Sequence, residues 1–244
     1  MGQFELKYRP LGSCSILIEW PAEINENILD DVLNFKNRLK LFYTKQKVEI
    51  NNTYSSILIN YSSTIRNIYS TFSDLKECYL QSEPSFKTEI DHWIIPVCYD
   101  EKFGIDIQYL SDEKKLLKTD IVDFHSSPVY RVYFLGFLPG FLYLGGLDKK
   151  LYQARRSEPR LRVDKGSVAI GGQQTGIYPC NSPGGWHLIG KTPLDLFNPQ
   201  LKPPCFAKSG DKISFKSVSM DEFNHISGLI KEDRYSLEKE NAND

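Results

Sequence analysis

Apolar positions give the two halves of the chain different rhythms. CSILIEW (14–20) reads as a strand. Residues 24–44 then carry Ile24, Ile28, Leu29, Val32, Leu33, Phe35, Leu39 and Phe42, a spacing that lays one apolar stripe along a helix. QKVEI (46–50) and SSILIN (55–60) are short strands around the turn-rich NNT. Residues 64–80 repeat the helical spacing through Ile65, Ile68, Tyr69, Phe72, Leu75 and Tyr79, and FKTEIDHWIIPVCY (86–99) is extended again. Strand, helix, strand, strand, helix, strand predicts a ferredoxin-like βαββαβ domain over residues 1–95.

After Tyr99 the pattern changes. GIDIQYL and DEKKLLKTDIVDF have short helical spacings. From Tyr130 onward short strands alternate with Gly/Pro turns: YRVYFLGF, SVAIGG, WHLIG and KISF. This predicts an all-β barrel or sandwich domain over 96–230, and the fold class is therefore α+β. Ser219 and Glu222 form a capping box for a short last helix. The charged segment KEDRYSLEKENAND predicts a disordered tail over 231–244.

Composition narrows the function classes. The 244 residues include 30 basic and 31 acidic ones, a net charge of -1 with no basic block. That balance argues against a nucleic-acid partner or an anionic membrane surface. MGQFELKYRPLG lacks the apolar region of a signal peptide. The longest apolar run, YFLGFLPGFLYLGG (133–146), is interrupted by Pro139 and too short to span a bilayer. Cys14, Cys78, Cys98, Cys180 and Cys205 are scattered without CxxC spacing, which suits reduced thiols in a cytoplasmic protein. No metal-ligand spacing is present, so no metal is expected.

The densest punctuation is GGQQTGIYPCNSPGGWHLIG (171–190), with six glycines and two prolines. Within it, Gly185–Thr192 formally matches the phosphate-loop pattern GxxxxGK[ST]. Trp186, His187, Leu188 and Ile189 are bulky strand formers, and Pro193 follows, so the strand–loop–helix context is missing and the match is accidental. FLGFLPGFLYLGG (134–146) is either barrel core with turns or the aromatic wall of a pocket. QARRSEPRLRV (153–163) gathers Arg155, Arg156, Arg160 and Arg162, either a solvated strand edge or a fork for carboxylate and phosphate.

RVYFLGFLPGFLYLGGLD and ARRSEPRLRVDKGSVAIGGQQTGIYPCNSPGGWHLIGKTPLDLF together resemble the family of the 5-oxoprolinase B subunit. The family is also named kinase-A inhibitor, or allophanate hydrolase subunit 1, and is of the carboxyltransferase subdomain C and D type. The resemblance implies a ferredoxin-like N-terminal domain and a C-terminal cyclophilin-like β-barrel. It implies the A and C subunits of 5-oxoprolinase as partners in an ATP-dependent opening of 5-oxo-L-proline to L-glutamate. ATP would be a co-substrate of the complex, with no phosphate loop in this chain and no bound biotin. The family's other names imply two alternatives, an inhibitor of a sporulation histidine kinase and a urea carboxylase or allophanate hydrolase-type subunit. GKTP at 190–193 stands where the family usually has GRTP, and VDKGSV at 163–168 replaces VPAGSV. LGSCSIL has Ser13 or Cys14 where Asp is usual.

Phosphoryl transfer to a lactam oxygen needs cationic groups, donors for the substrate carboxylate and a dry pocket. The candidate catalytic residues are Arg156, Gln174 and His187. The candidate substrate-binding residues are Phe137, Pro139, Gly140, Arg160, Gln173, Thr175, Tyr178, Ser182, Gly184, Gly185, Trp186 and Lys191.

Overall fold

The computed structural model describes residues 4–81 and 89–240. The chain divides into two compact units, Met1–Glu89 and Ile90–Asp244. Both mix helices with sheet, antiparallel throughout in the first unit and mostly so in the second.

The first unit contains β1 (Lys7–Pro10), β2 (Ser15–Glu19), α1 (Glu26–Phe42), β3 (Val48–Asn52), β4 (Ser56–Tyr61) and α2 (Ile68–Leu80). Its sheet order is β1-β2-β4-β3, and every neighbouring pair is antiparallel. Each helix starts at an asparagine whose side chain accepts backbone N–H groups, Asn25 for α1 and Asn67 for α2. The expected stripe of α1 is buried through Ile28, Leu29, Val32, Phe35 and Leu39. It shares a core with Ile16, Ile18, Ile57 and Ile59, alternate positions of β2 and β4.

The expected sixth element of this unit belongs to the other one. The described part of the 86–99 stretch forms β5 (His92–Val97), which runs parallel to a strand of the second sheet. Residues 82–88, which include the start of that stretch, lie outside the described residues. The boundary therefore falls at 89/90 rather than 95/96. The reason lies in the run WIIPV (93–97), which has no polar alternate positions and suits a strand covered on both faces. The fourth strand of the first sheet is instead β1, which pairs only with β2 and so sits at the edge, mostly exposed.

The second unit continues with α3 (Ile107–Lys114), α4 (Lys118–Ser126), β6 (Tyr130–Leu135), β7 (Leu142–Gly145), β8 (Arg160–Val163), β9 (Ser167–Gly171), β10 (Gln174–Ile177), β11 (Ser182–Gly184), β12 (His187–Lys191), β13 (Lys212–Ser217), α5 (Met220–Lys231) and β14 (Lys239–Glu240). Eight strands form one sheet in the order β12-β9-β10-β7-β6-β13-β5-β14. Cys98, just past β5, exchanges two backbone hydrogen bonds of 2.9 Å with Lys191 of β12. That bridge closes the sheet into a barrel. Val132, Leu142, Leu144, Val168, Ile170, Ile177 and Ile189 share its core with Ile107 and Leu110 of α3 and Ile121 of α4. β8 and β11 form a separate two-stranded ribbon, and Val163 of β8 packs with Ala169 and Leu188 in a second apolar cluster.

The segment expected to be a disordered tail is folded through residue 240. Tyr235 and Leu237 pack on the barrel core, and β14 pairs with β5 through Lys239↔Trp93 and Glu240↔His92. The open edge of β5 supplies backbone partners that a charged composition does not reveal. Residues 241–244 lie outside the described residues. The capping box at Ser219 and Glu222 is present at the start of α5. Among the described residues, no helix is long and apolar enough to cross a membrane.

Candidate functional site

The arginine cluster is organised by a carboxylate. Asp106 precedes the first residue of α3 and is only 4% exposed. Its Oδ1 accepts from Arg160 Nη2 at 2.6 Å and lies 3.5 Å from Arg156 Nη1. Its Oδ2 accepts from the Leu188 backbone N–H at 2.7 Å, and its own N–H donates to the Leu188 carbonyl at 3.0 Å. One buried side chain thus ties the start of α3 to β8 and β12. The Arg156 backbone N–H adds a 2.8 Å bond to the Gly185 carbonyl. Breaking a buried, hydrogen-bonded ion pair costs about 3–5 kcal/mol, so this tether fixes where the two guanidiniums sit.

Beside the tether lies a cleft of about 240 Å³ lined by Lys102, Phe103, Ile105, Arg160, Arg162, Asp164, Ser167 and Lys191, among others. Arg162 Nε is 3.2 Å from Asp164 Oδ1, an exposed pair. Lys191 Nζ stands 5.5 Å from the centre of the Phe103 ring. Arg160 Nη1 is buried and has no hydrogen-bond partner among the described residues. The phosphate-loop match runs along strand β12 and ends one residue past it, with an irregularity of register between Leu188 and Gly190 and no helix directly after it. The loop reading therefore fails on structure as well, yet its lysine lines the cationic cleft.

The other candidates lie elsewhere. Gln174 begins β10 opposite Gly171, and its Oε1 is buried without a partner among the described residues. His187 begins β12, is 3% exposed and donates from Nε2 to the Ala154 carbonyl at 2.9 Å. Its ring stacks on Tyr109 at 5.3 Å, and its Nδ1 is a second buried acceptor without a partner among the described residues. Neither residue lines the cleft. Gln173 is exposed at the turn between β9 and β10, and the Ser182 hydroxyl donates only to the adjacent Pro183 carbonyl.

Thr175 is not placed to touch a ligand. It is fully buried and belongs to a chain of hydrogen bonds inside the barrel. The Tyr99 hydroxyl donates to His125 Nδ1 at 2.7 Å, and His125 Nε2–H donates to Thr175 Oγ1 at 2.8 Å. Thr175 then donates to the Ala169 carbonyl at 3.0 Å. Strand alternation is the reason: Thr175 pairs with the core residue Ile170, and a buried hydroxyl there needs polar partners. Burial pushes the His125 imidazole down to about 3, so it stays neutral.

The aromatic and glycine candidates form the second apolar cluster, where Phe141, Tyr178 and Trp186 pack with Tyr143. Two glycines permit this closeness. A Cβ at Gly171 would lie 2.6 Å from the Trp186 indole, and one at Gly184 would lie 2.3 Å from the Tyr178 hydroxyl. Arg155 adds its guanidinium 5.7 Å from the Trp186 ring centre. Phe137 is 63% exposed in the loop after β6, with Pro139 also exposed and Gly140 buried. The Phe137 ring meets Phe141 edge-on at 5.7 Å between centres, and none of these residues lines the cleft.

Residues 6–207 match the carboxyltransferase domain, subdomain C and D. The chain belongs to this family. Within it, proteins named as the B subunit of 5-oxoprolinase are similar to this chain. The Haemophilus influenzae protein is 36% identical over 162 residues, covering 66% of this chain and 72% of that protein. The Bacillus subtilis protein is 45% identical over 130 residues, covering 53% of this chain and 54% of that protein, so the match spans about half its length. Among solved structures, the Kluyveromyces lactis urea carboxylase superimposes on 97% of this chain with a TM-score of 0.81, matching 24% of that chain at 20% identity. That likeness is one of fold.

Of the candidates named from sequence, Arg160 and Lys191 meet at the cleft, while Arg156 holds the tether behind it. Sequence reasoning missed Asp106, Lys102 and Tyr109. Asp106 has isoleucines on either side at a helix start, which reads locally as a cap. It makes no side-chain cap bond, because its oxygens are used by Arg160 and Leu188, 54 and 82 residues away.

Proposed function

We propose that this chain is one component of an ATP-dependent 5-oxoprolinase that opens 5-oxo-L-proline to L-glutamate in the cytoplasm. The observation that carries the reading is the Asp106-tethered guanidinium of Arg160 on the wall of a cationic cleft. Such a wall suits the anions of this reaction, and the names of the 36–49% identical relatives supply the substrate. In this reading the first unit is a ferredoxin-like variant whose fourth strand comes from β1, and the closed sheet is a cyclophilin-like barrel.

The lactam is a resonance-stabilised amide that water attacks slowly. Transfer of the terminal phosphoryl group of ATP to the lactam oxygen releases ADP and activates the ring carbon. Water adds there, the ring C–N bond breaks as nitrogen takes a proton, and a second water releases phosphate from the acyl phosphate. Arg160, Arg162 and Lys191 would hold negative charge during these steps, and Asp106 would keep Arg160 oriented. The A and C subunits would complete the active centre. Omitting this chain from a mixture with both partners should abolish ATP-dependent glutamate release. Inhibition of a histidine kinase by this chain alone, with no effect on glutamate release, would replace the reading.

A further inference from the structure

The cleft beside Asp106 carries more positive charge than its own carboxylates balance. Asp106 serves two guanidiniums, those of Arg156 and Arg160. Asp164 offsets Arg162, and the described ion pairs leave Lys102 and Lys191 without a carboxylate. Three positive charges are therefore uncompensated: one from the arginine pair and one from each lysine. Arg160 Nη1, buried with no acceptor among the described residues, marks where an acceptor is missing.

We propose that this cleft is a phosphate-binding site, taking one phosphoryl group as free phosphate or as the end of a nucleotide. Charge decides against a simple carboxylate: it brings one negative charge, whereas a phosphate carries about 1.5 to 2 near neutral pH. Size limits only how much of a nucleotide can enter. Sites for whole drug-sized ligands measure about 300–1,000 Å³. The cleft, at about 240 Å³, holds a phosphoryl group but not an entire nucleotide. Lys191 projects from strand β12 and acts as a point charge. The inference deepens the proposed function, in which ATP brings the phosphoryl group, but its test needs neither of the other two proteins.

Titration calorimetry of the full chain at constant ionic strength tests it, with sodium phosphate, ATP, sodium acetate and 5-oxoproline as probes. Phosphate should saturate a single site. Lys191→Gln and Lys102→Gln should each weaken it about tenfold, while Lys45→Gln, exposed on the first unit, leaves it unchanged. ATP binding more tightly than phosphate and competing with it identifies the nucleotide's terminal group as the ligand. Equal or weaker binding of ATP identifies the free ion. The proposal is overturned by absence of saturation with both phosphate and ATP, by unchanged affinity in both lysine variants, or by acetate or 5-oxoproline competing as strongly as phosphate. Any of those results leaves the omission assay untouched, so the two readings fail separately.

Discussion

Asp106→Asn removes one charge and almost no volume, so it isolates the electrostatic part of the tether. The Arg160 nitrogen lies 2.6 Å from Oδ1 and the Arg156 nitrogen 3.5 Å. Breaking a fully buried pair costs about 3–5 kcal/mol. The arginine side chains are 21% and 34% exposed, so water recovers part of their charge and the expected loss is about 2–3 kcal/mol. Asp106→Ala should cost about 1–3 kcal/mol more, because the buried Leu188 N–H then loses its acceptor. Urea unfolding at neutral pH measures both variants, followed through the transition of the second unit. A cycle with Arg160→Gln should give a coupling of about 1–3 kcal/mol. Stability within about 0.5 kcal/mol of wild type for Asp106→Asn, with no coupling, would show that the carboxylate does not organise the site.

The barrel supplies two further expectations. His125 is held at about 3 against an ordinary value of 6.5. The unfolded chain therefore takes up a proton that the folded chain refuses as pH falls from 6.5 toward 3, and stability is full above that window and lost within it. The slope is about 1.4 kcal/mol per pH unit, or about 2 kcal/mol by pH 5. His125→Gln should remove that slope relative to wild type; parallel stability–pH curves would contradict it. Gly171→Ala sets a Cβ 2.6 Å from the Trp186 ring and should cost about 1–3 kcal/mol with a change in Trp fluorescence. Gly185→Ala meets nothing closer than 3.7 Å and should stay within about 0.5 kcal/mol. Equal effects of the two glycine variants would refute the close-packing account.

Elements with strong local periodicity were legible from sequence. The stripe of α1 and the short strands from β6 onward depend on side-chain spacing alone. What escaped was allegiance. β5 reads as the end of one domain, yet its partner strand β13 lies more than a hundred residues later. β14 consists of two charged residues whose strand character comes entirely from the edge they pair with. The same distinction governs the site. Arg156 and Arg160 could be named because clustered arginines in a near-neutral chain are unusual, and Lys191 because it stands in the formal phosphate-loop match. Asp106 could not, because its partners are brought to it only by the closed barrel. Thr175 stands in a glycine-rich run and reads as a binding candidate, and the pairing that turns it inward is set by β9.

Glutamate release from 5-oxoproline, measured with ATP, the A and C subunits and either this chain or none, tests the central claim most directly. The account predicts turnover with wild-type chain, none without it, and a drop of about tenfold or more with Arg160→Lys in a complex that still assembles. Full turnover in the absence of this chain would contradict it.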